Sequence, residues 1–387
     1  MPMMNWSKNL ATIFPALLNN LGNLMPGRKL LSLEVMRGLA ALFVLLFHTH
    51  EWLAKILLQP VFHEYFYFGK YGVDFFFVLS GFIIMYAHSS NIGKREDILY
   101  YLRRRFLRIF PTYWVVLGLV LMAYAAQGRV GEHAEFDLKS ISKSFFLMTS
   151  EHRPVLVVSW TLSFELFFYL AFIVFFFGKK IGTCFFSIWA LLIGINYFFP
   201  IQPDSWLLNT RHLEFMLGLI AAWIIKEKEF GYGYWILGIT SILILLTIQG
   251  ERLYPDLDFE YWKIYALLSF FLIIGLGLKE KETRIAPPKF LILLGSASYS
   301  IYLVHLPVIL FSGKIIQNSF LKQSNPHILF ILMAIVALAS GLFFHLYIEK
   351  FLQKFFISKK IQKFAKNHDR NKVLPRIKIN DGNDITI

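Results

Sequence analysis

The segment Leu33-Glu34-Val35-Met36-Arg37-Gly38-Leu39-Ala40-Ala41-Leu42-Phe43-Val44-Leu45-Leu46-Phe47-His48 opens an apolar run that continues to about residue 53. Its length fits the roughly 20 residues a helix needs to cross a bilayer. Arg37 and His48 are eleven positions apart. At roughly 100° per residue they share one helix face, separated by about 16 Å along the axis. Gly38, Ala40 and Ala41 let a second helix approach closely. Ionisable groups at bilayer depth are costly and are candidates for function. Alternatives stay open: Arg37 as a snorkelling side chain paired with Glu34, and His48 as an interfacial histidine. Their shared face makes the pair more telling than either residue alone.

The rest of the chain agrees with a membrane solvent. Of 387 residues, 56% are apolar and 17% charged, against about 45–50% and about 25% in soluble domains. The 41 Phe and 9 Trp suit lipid-facing and interfacial positions. Ten spans are expected, near 33–53, 70–88, 107–127, 158–178, 181–199, 208–226, 232–249, 261–278, 290–312 and 327–348. The fold class is therefore an all-α polytopic membrane bundle of about ten transmembrane helices. A formal net charge of +14 is read as basic loops held on one side rather than as a nucleic-acid footprint. Lys and Arg concentrate in the N-terminus, the alternate loops 89–106, 179–180, 226–229 and 279–289, and the tail. Both termini are expected to be cytoplasmic, in the bacterial inner membrane.

Residues 1–29 read as a cytoplasmic or interfacial segment, with no cleavable signal peptide. Residues 30–350 form the transmembrane domain, and 351–387 a basic, partly disordered tail drawn to anionic lipid. The lone cysteine, Cys184, excludes an internal disulfide. No internal repeat suggests two inverted halves, which disfavours common transporter designs.

The polar residues inside the spans carry the chemistry. Asp74 and Ser80-Gly81-Phe82 belong to the second span. Arg103-Arg104-Arg105-Phe106-Leu107-Arg108 sits at the mouth of the third, either as a topology signal or as a bidentate clamp for phosphate. Trp160 and Glu165 open the fourth; Glu165 is a functional candidate or a helix-packing group. Arg211 and Glu214 open the sixth and can pair at i, i+3. Tyr302 and His305 share a face of the ninth, where His305-Leu306-Pro307 can also mark a kink. The arginines and Arg37 fall towards the inside. His48, Asp74, Glu165, Arg211, Glu214 and His305 fall in the outer half. An anionic donor with a long thin arm, entering from the cytoplasm, fits that sorting, and acyl-CoA has that shape. No metal set, GxSxG elbow or Walker A loop is evident, so no permanently bound cofactor is expected.

Several ordered motifs carry a resemblance: Arg37-Gly38 to His48, Phe76-Phe77-Val78-Leu79-Ser80-Gly81-Phe82, Arg103 to Pro111, Trp160 to Tyr169, Ser298 to His305, and the closing His345 to Lys350. Over about residues 30–350 the chain resembles the acyltransferase-3 family of bacterial membrane O-acyltransferases. The resemblance implies transfer of an acyl group, commonly acetyl from acetyl-CoA, to a hydroxyl of an exopolysaccharide, O-antigen or lipid-linked envelope glycan. It implies an essential His48, with Arg37, Arg105 and Arg108 handling the donor; Arg103 belongs to the same clamp. Many members carry a C-terminal extracytoplasmic hydrolase-like domain. Here a short basic tail is expected instead, so the protein would act alone or with glycan-assembly partners.

Mechanistically, His48 is the expected general base, with an acyl-histidine as an alternative, and Glu165 orients it or binds sugar. Asp74, Trp160, Arg211, Glu214, Tyr302 and His305 are the expected acceptor-binding residues. The rival reading is a secondary transporter or flippase, in which the buried ionisable groups relay protons.

Overall fold

The structure is a computed structural model. It describes residues 30–356, apart from 60, 132–135, 149–153, 203–204, 228–230, 255–259 and 284. The expected interfacial segment 1–29 and the tail beyond 356 lie outside the described residues.

Ten long helices follow one another: α1 (Leu31–Leu57), α2 (Gly72–His88), α3 (Ile98–Ala125), α4 (Trp160–Ala171), α5 (Lys179–Phe198), α6 (Arg211–Glu227), α7 (Gly233–Leu253), α8 (Tyr261–Glu282), α9 (Lys289–Gln317) and α10 (Pro326–Phe343). Among the described residues, nine helical stretches are long and apolar enough to cross a membrane. The tenth, α6, has 17 residues, at the lower end of what spans a bilayer. Helices satisfy their own backbone polar groups, which hydrocarbon demands. No strand forms among the described residues; one isolated bridge joins Val130 to Phe136. The chain is a polytopic all-α membrane bundle.

The third span departs from expectation at its start. The sequence places the arginine stretch largely in a loop ending at 106, but α3 begins at Ile98 and holds Tyr100 to Arg108 in helical register. Arginine is a good helix former, and a guanidinium on a long stem can reach polar surroundings from inside a helix. The helix also continues through Pro111, as α9 does through Pro307.

Two helix crossings set the frame. A Cβ on Gly295 of α9 would lie 2.1 Å from the Glu34 carbonyl oxygen, and one on Gly38 of α1 would lie 2.6 Å from the Gly295 nitrogen. The same holds between α2 and α6, where a Cβ on Gly81 would sit 2.0 Å from the Phe215 carbonyl oxygen. Backbones can approach so closely only where side chains are absent. By contrast α7 leaves Trp235, Ile239, Ile242, Leu245 and Leu246 exposed, an apolar surface that lipid covers. The last span changes pitch: after Phe343 the chain makes a π-helical turn over Phe344–Glu349, then resumes as a helix over Lys350–Phe356. Such turns re-aim side chains and recur at functional sites.

Candidate active site

α1, α2, α3, α4, α9 and the π-helical turn line an open cavity of about 450 Å³, within the range of small-molecule sites. One end, here the basic end, is lined by Lys289, Lys350 and Gln353; the far end reaches Thr161 and Tyr302. The lining also holds apolar side chains such as Phe76, Leu162 and Ile292, together with Arg37, Arg105, Arg108 and Glu165.

Helical register sorts the arginine cluster. Arg105 and Arg108 are three apart, so they share a face of α3, and both line the cavity. Arg103 is exposed and stands outside that lining. Arg104 hydrogen-bonds the Tyr100 hydroxyl at 3.1 Å. Arg105 is buried; its Nη2 lies 3.1 Å from His88 Nε2, and its Nε has no hydrogen-bond partner. Arg108 keeps accessible surface because it faces the cavity. Arg37 donates to the Gly295 carbonyl oxygen through Nε at 3.1 Å and Nη2 at 2.7 Å, and lies 4.0 Å from Glu34.

Two carboxylates face these arginines. Glu165 accepts from Ser80 Oγ at 2.7 Å and from the Tyr169 hydroxyl. Glu349 accepts from Ser300 Oγ at 2.6 Å and Gln353 Nε2 at 2.9 Å, and meets His345 Nδ1 at 2.7 Å. Both lie within electrostatic range of Arg108. The π-helical turn points His345 and Glu349 into the cavity together.

His48 lies beyond the far end. Its ring centroid is 5.3 Å from that of His305, which is 5.6 Å from that of Tyr302. Tyr302 is held by Thr161 Oγ1 at 3.0 Å and the Val158 carbonyl at 3.2 Å. His305 Nδ1 meets the Ile301 carbonyl at 3.1 Å, so that nitrogen carries the proton. Its Nε2 is buried with no partner. The carboxylate beside His48 is Glu51, 3.5 Å from Nδ1 and itself 2.8 Å from Lys55 Nζ. Glu165 makes its hydrogen bonds to Ser80 and Tyr169 instead.

A second polar group gathers at the starts of α2, α4, α6 and α8. Arg211 Nη1 donates to Asp74 at 2.7 Å and lies 3.5 Å from Glu214. Both carboxylates are buried, and Glu214 keeps one oxygen without a partner. The guanidinium lies between two indoles, 5.3 Å from the Trp160 ring and 4.9 Å from the Trp262 ring, a cation–π geometry. Arg211 thus serves two carboxylates, where the i, i+3 spacing suggested Glu214 alone.

The sequence did not single out Glu51, Tyr169 or His88; it offered Ser80 and, as a hydrogen-bonding group between helices, Ser300, without their partners. Glu51 lies three positions after His48, a spacing that does bring helix side chains together. Tyr169 lies four positions after Glu165 on the same helix, whereas Ser80, His88 and Ser300 meet their partners across helices and leave no local signature. No group of three or more metal-ligating side chains is found among the described residues.

A multi-pass helical membrane protein with a cavity between its helices, arginines at one end and imidazoles past the other defines the class. The chain belongs to the acyltransferase family whose domain model, Acyl_transf_3, matches residues 30–346. It is 29% identical over 265 residues to the exopolysaccharide production protein ExoZ of Rhizobium meliloti, covering 62% of this chain and 77% of that protein. It is 23% identical over 319 residues to the acyltransferase MdmB of Streptomyces mycarofaciens, covering 73% and 80%. Over 321 residues it is 25% identical to the O-acetyltransferase OatA of Staphylococcus aureus, covering 73% of this chain and 51% of that protein. No solved structure matches the chain. The family resemblance carried by the sequence motifs is thereby established, and the protein is a membrane acyltransferase.

Proposed function

We propose that this protein moves an acyl group, acetyl first among the candidates, from acyl-CoA to a hydroxyl of an exopolysaccharide, O-antigen or lipid-linked envelope glycan in the bacterial inner membrane. The observation that carries the reading is the polarity of the cavity, with guanidinium groups near its mouth and a Tyr302–His305–His48 series past its far end. The names of ExoZ and OatA support the exopolysaccharide and O-acetyl parts. The basic end is the cytoplasmic one in this reading, as the positive-inside rule directs.

Guanidinium forks match phosphate oxygens bidentately, so Arg105, Arg108 and Arg37 hold the donor's phosphates. The apolar middle takes the thin arm and delivers the thioester towards Tyr302. The helical distance from Arg37 to His48, about 16 Å, suits that arm. With Glu51 beside Nδ1 of His48, Nε2 is left to act as the base. It removes the proton as the acceptor oxygen attacks the thioester carbon. The carbon–sulfur bond breaks, and the departing thiolate receives that proton from His48. Thioesters are activated already, so no further group is needed. Arg211, Trp160 and the Asp74/Glu214 pair offer an aromatic face and hydrogen-bonding groups for a sugar. Arg103, exposed at the basic end, is left to lipid phosphates.

The test is transfer of radiolabelled acetyl from acetyl-CoA to envelope carbohydrate in inside-out vesicles. Wild-type label that His48→Ala abolishes, with membrane insertion unchanged, is the expected result. Normal transfer by His48→Ala removes the central assignment.

A further inference from the structure

His88, at the end of α2, has no place in the chemistry above, yet it touches the donor-end arginines. A guanidinium only donates hydrogen bonds. The 3.1 Å contact from Arg105 Nη2 therefore requires His88 Nε2 to be an unprotonated acceptor. Asn91 lies within hydrogen-bonding reach of the same ring, and its amide donates in turn to Asp97. His88 and Asn91 thus stand between Arg105 and the carboxylate of Asp97. The ring is fixed edge-on to Tyr101 at 5.0 Å and packs against Phe176. Among the described residues no carboxylate comes within ion-pair distance of Arg105 or Arg108. Buried arginines are usually paired with a carboxylate, and such a pair would cancel the charge an anionic ligand needs. A neutral imidazole fixes the fork while leaving its charge uncompensated.

We propose that His88 is a positioning residue for the donor: it aims Arg105 into the cavity and keeps its charge free for a phosphate of the acyl-CoA. The proposal rests on the acyl-CoA reading above. The Asn91–Asp97 pair orients His88, so the whole relay closes at the junction between α2 and α3.

The experiment uses the full chain reconstituted in proteoliposomes with wild type, His88→Phe and His88→Gln. The phenylalanine keeps a ring among the aromatics and removes the acceptor; the glutamine restores an acceptor oxygen. Two donors are compared, acetyl-CoA and acetyl-pantetheine, which lacks the phosphates. A hydrogen bond to a charged group is lost in His88→Phe, so KM for acetyl-CoA rises about tenfold or more. Its kcat stays within about twofold, and KM for acetyl-pantetheine does not move. His88→Gln recovers most of the loss. An unchanged KM for acetyl-CoA in His88→Phe overturns the proposal, as does an equal rise for both donors, which marks a general disturbance of the cavity. If both substitutions prevent folding, CoA-induced thermal stabilisation of Asp97→Asn is measured instead; stabilisation equal to wild type rejects the relay. A wild type that accepts acetyl-pantetheine as well as acetyl-CoA, or neither, defeats the donor reading itself, and the proposal with it.

Discussion

Arg37 donates twice to the backbone carbonyl of Gly295, at 3.1 and 2.7 Å. The contact exists because α1 and α9 cross where neither Gly38 nor Gly295 carries a Cβ. The crossing that holds the bundle together therefore also aims a guanidinium into the cavity. Packing and the placement of a cavity cation meet in one feature.

Gly295→Ala tests that coupling. Its Cβ would lie 2.1 Å from the Glu34 carbonyl oxygen, so the helices must separate. Overpacking of this kind costs about 1–3 kcal/mol. The melting temperature of the detergent-solubilised protein should fall, and KM for acyl-CoA should rise as Arg37 loses its acceptor. Gly118→Ala, with nothing within 4 Å of the added carbon, is the control and should be neutral or slightly stabilising.

The arginine face makes a sharper prediction. Arg108→Met should raise the donor KM about tenfold or more, and Arg108→Lys should recover only part, because a point charge does not replace a bidentate fork. Arg103→Met should leave KM within about twofold, since that side chain is exposed and outside the cavity. Initial rates against donor concentration separate the three. Equal effects at Arg103 and Arg108 would show a diffuse surface attraction rather than a site.

How much of this was written in the chain is a matter of range. The spans were legible because each is a long apolar run, and hydrocarbon allows such a run few other conformations. Arg37 and His48 were legible because an eleven-residue spacing brings them onto one face. Helical register would also have separated Arg105 and Arg108 from Arg103, had the helix been started at Ile98 rather than 107. Apolarity hid that start, because arginines lower hydropathy without breaking a helix. Ser80–Glu165, Ser300–Glu349 and Arg105–His88 were not legible. Each joins two helices, and no local pattern records which side chains the fold brings face to face.

Arg211, proposed above as a sugar contact, is also placed to stabilise the fold. Arg211→Ala leaves Asp74 and Glu214 buried beside each other without their shared cation. Removing one partner of such a group costs about 3 kcal/mol, read as a lower melting temperature and reduced folded yield. Asp74→Asn on the same background should restore part of the loss by removing a stranded charge. No recovery in the double variant would mean that the guanidinium acts through its indole contacts alone.

The cavity and the Arg211 cluster should be separable by kinetics. Trp160 is exposed enough to meet a ligand and stacks with Arg211, whereas Arg108 faces the cavity near its basic mouth. Trp160→Ala should raise the acceptor KM by about tenfold, the order expected when an aromatic face is removed from a sugar, with the donor KM unchanged. Arg108→Met should do the reverse. Sites well apart with no shared partner contribute additively, so the double variant should show the product of the two effects on kcat/KM. A loss much smaller than the product would place donor and acceptor in one pocket, and the assignment of the phosphates to the cavity and of the sugar to the Arg211 cluster would then be wrong.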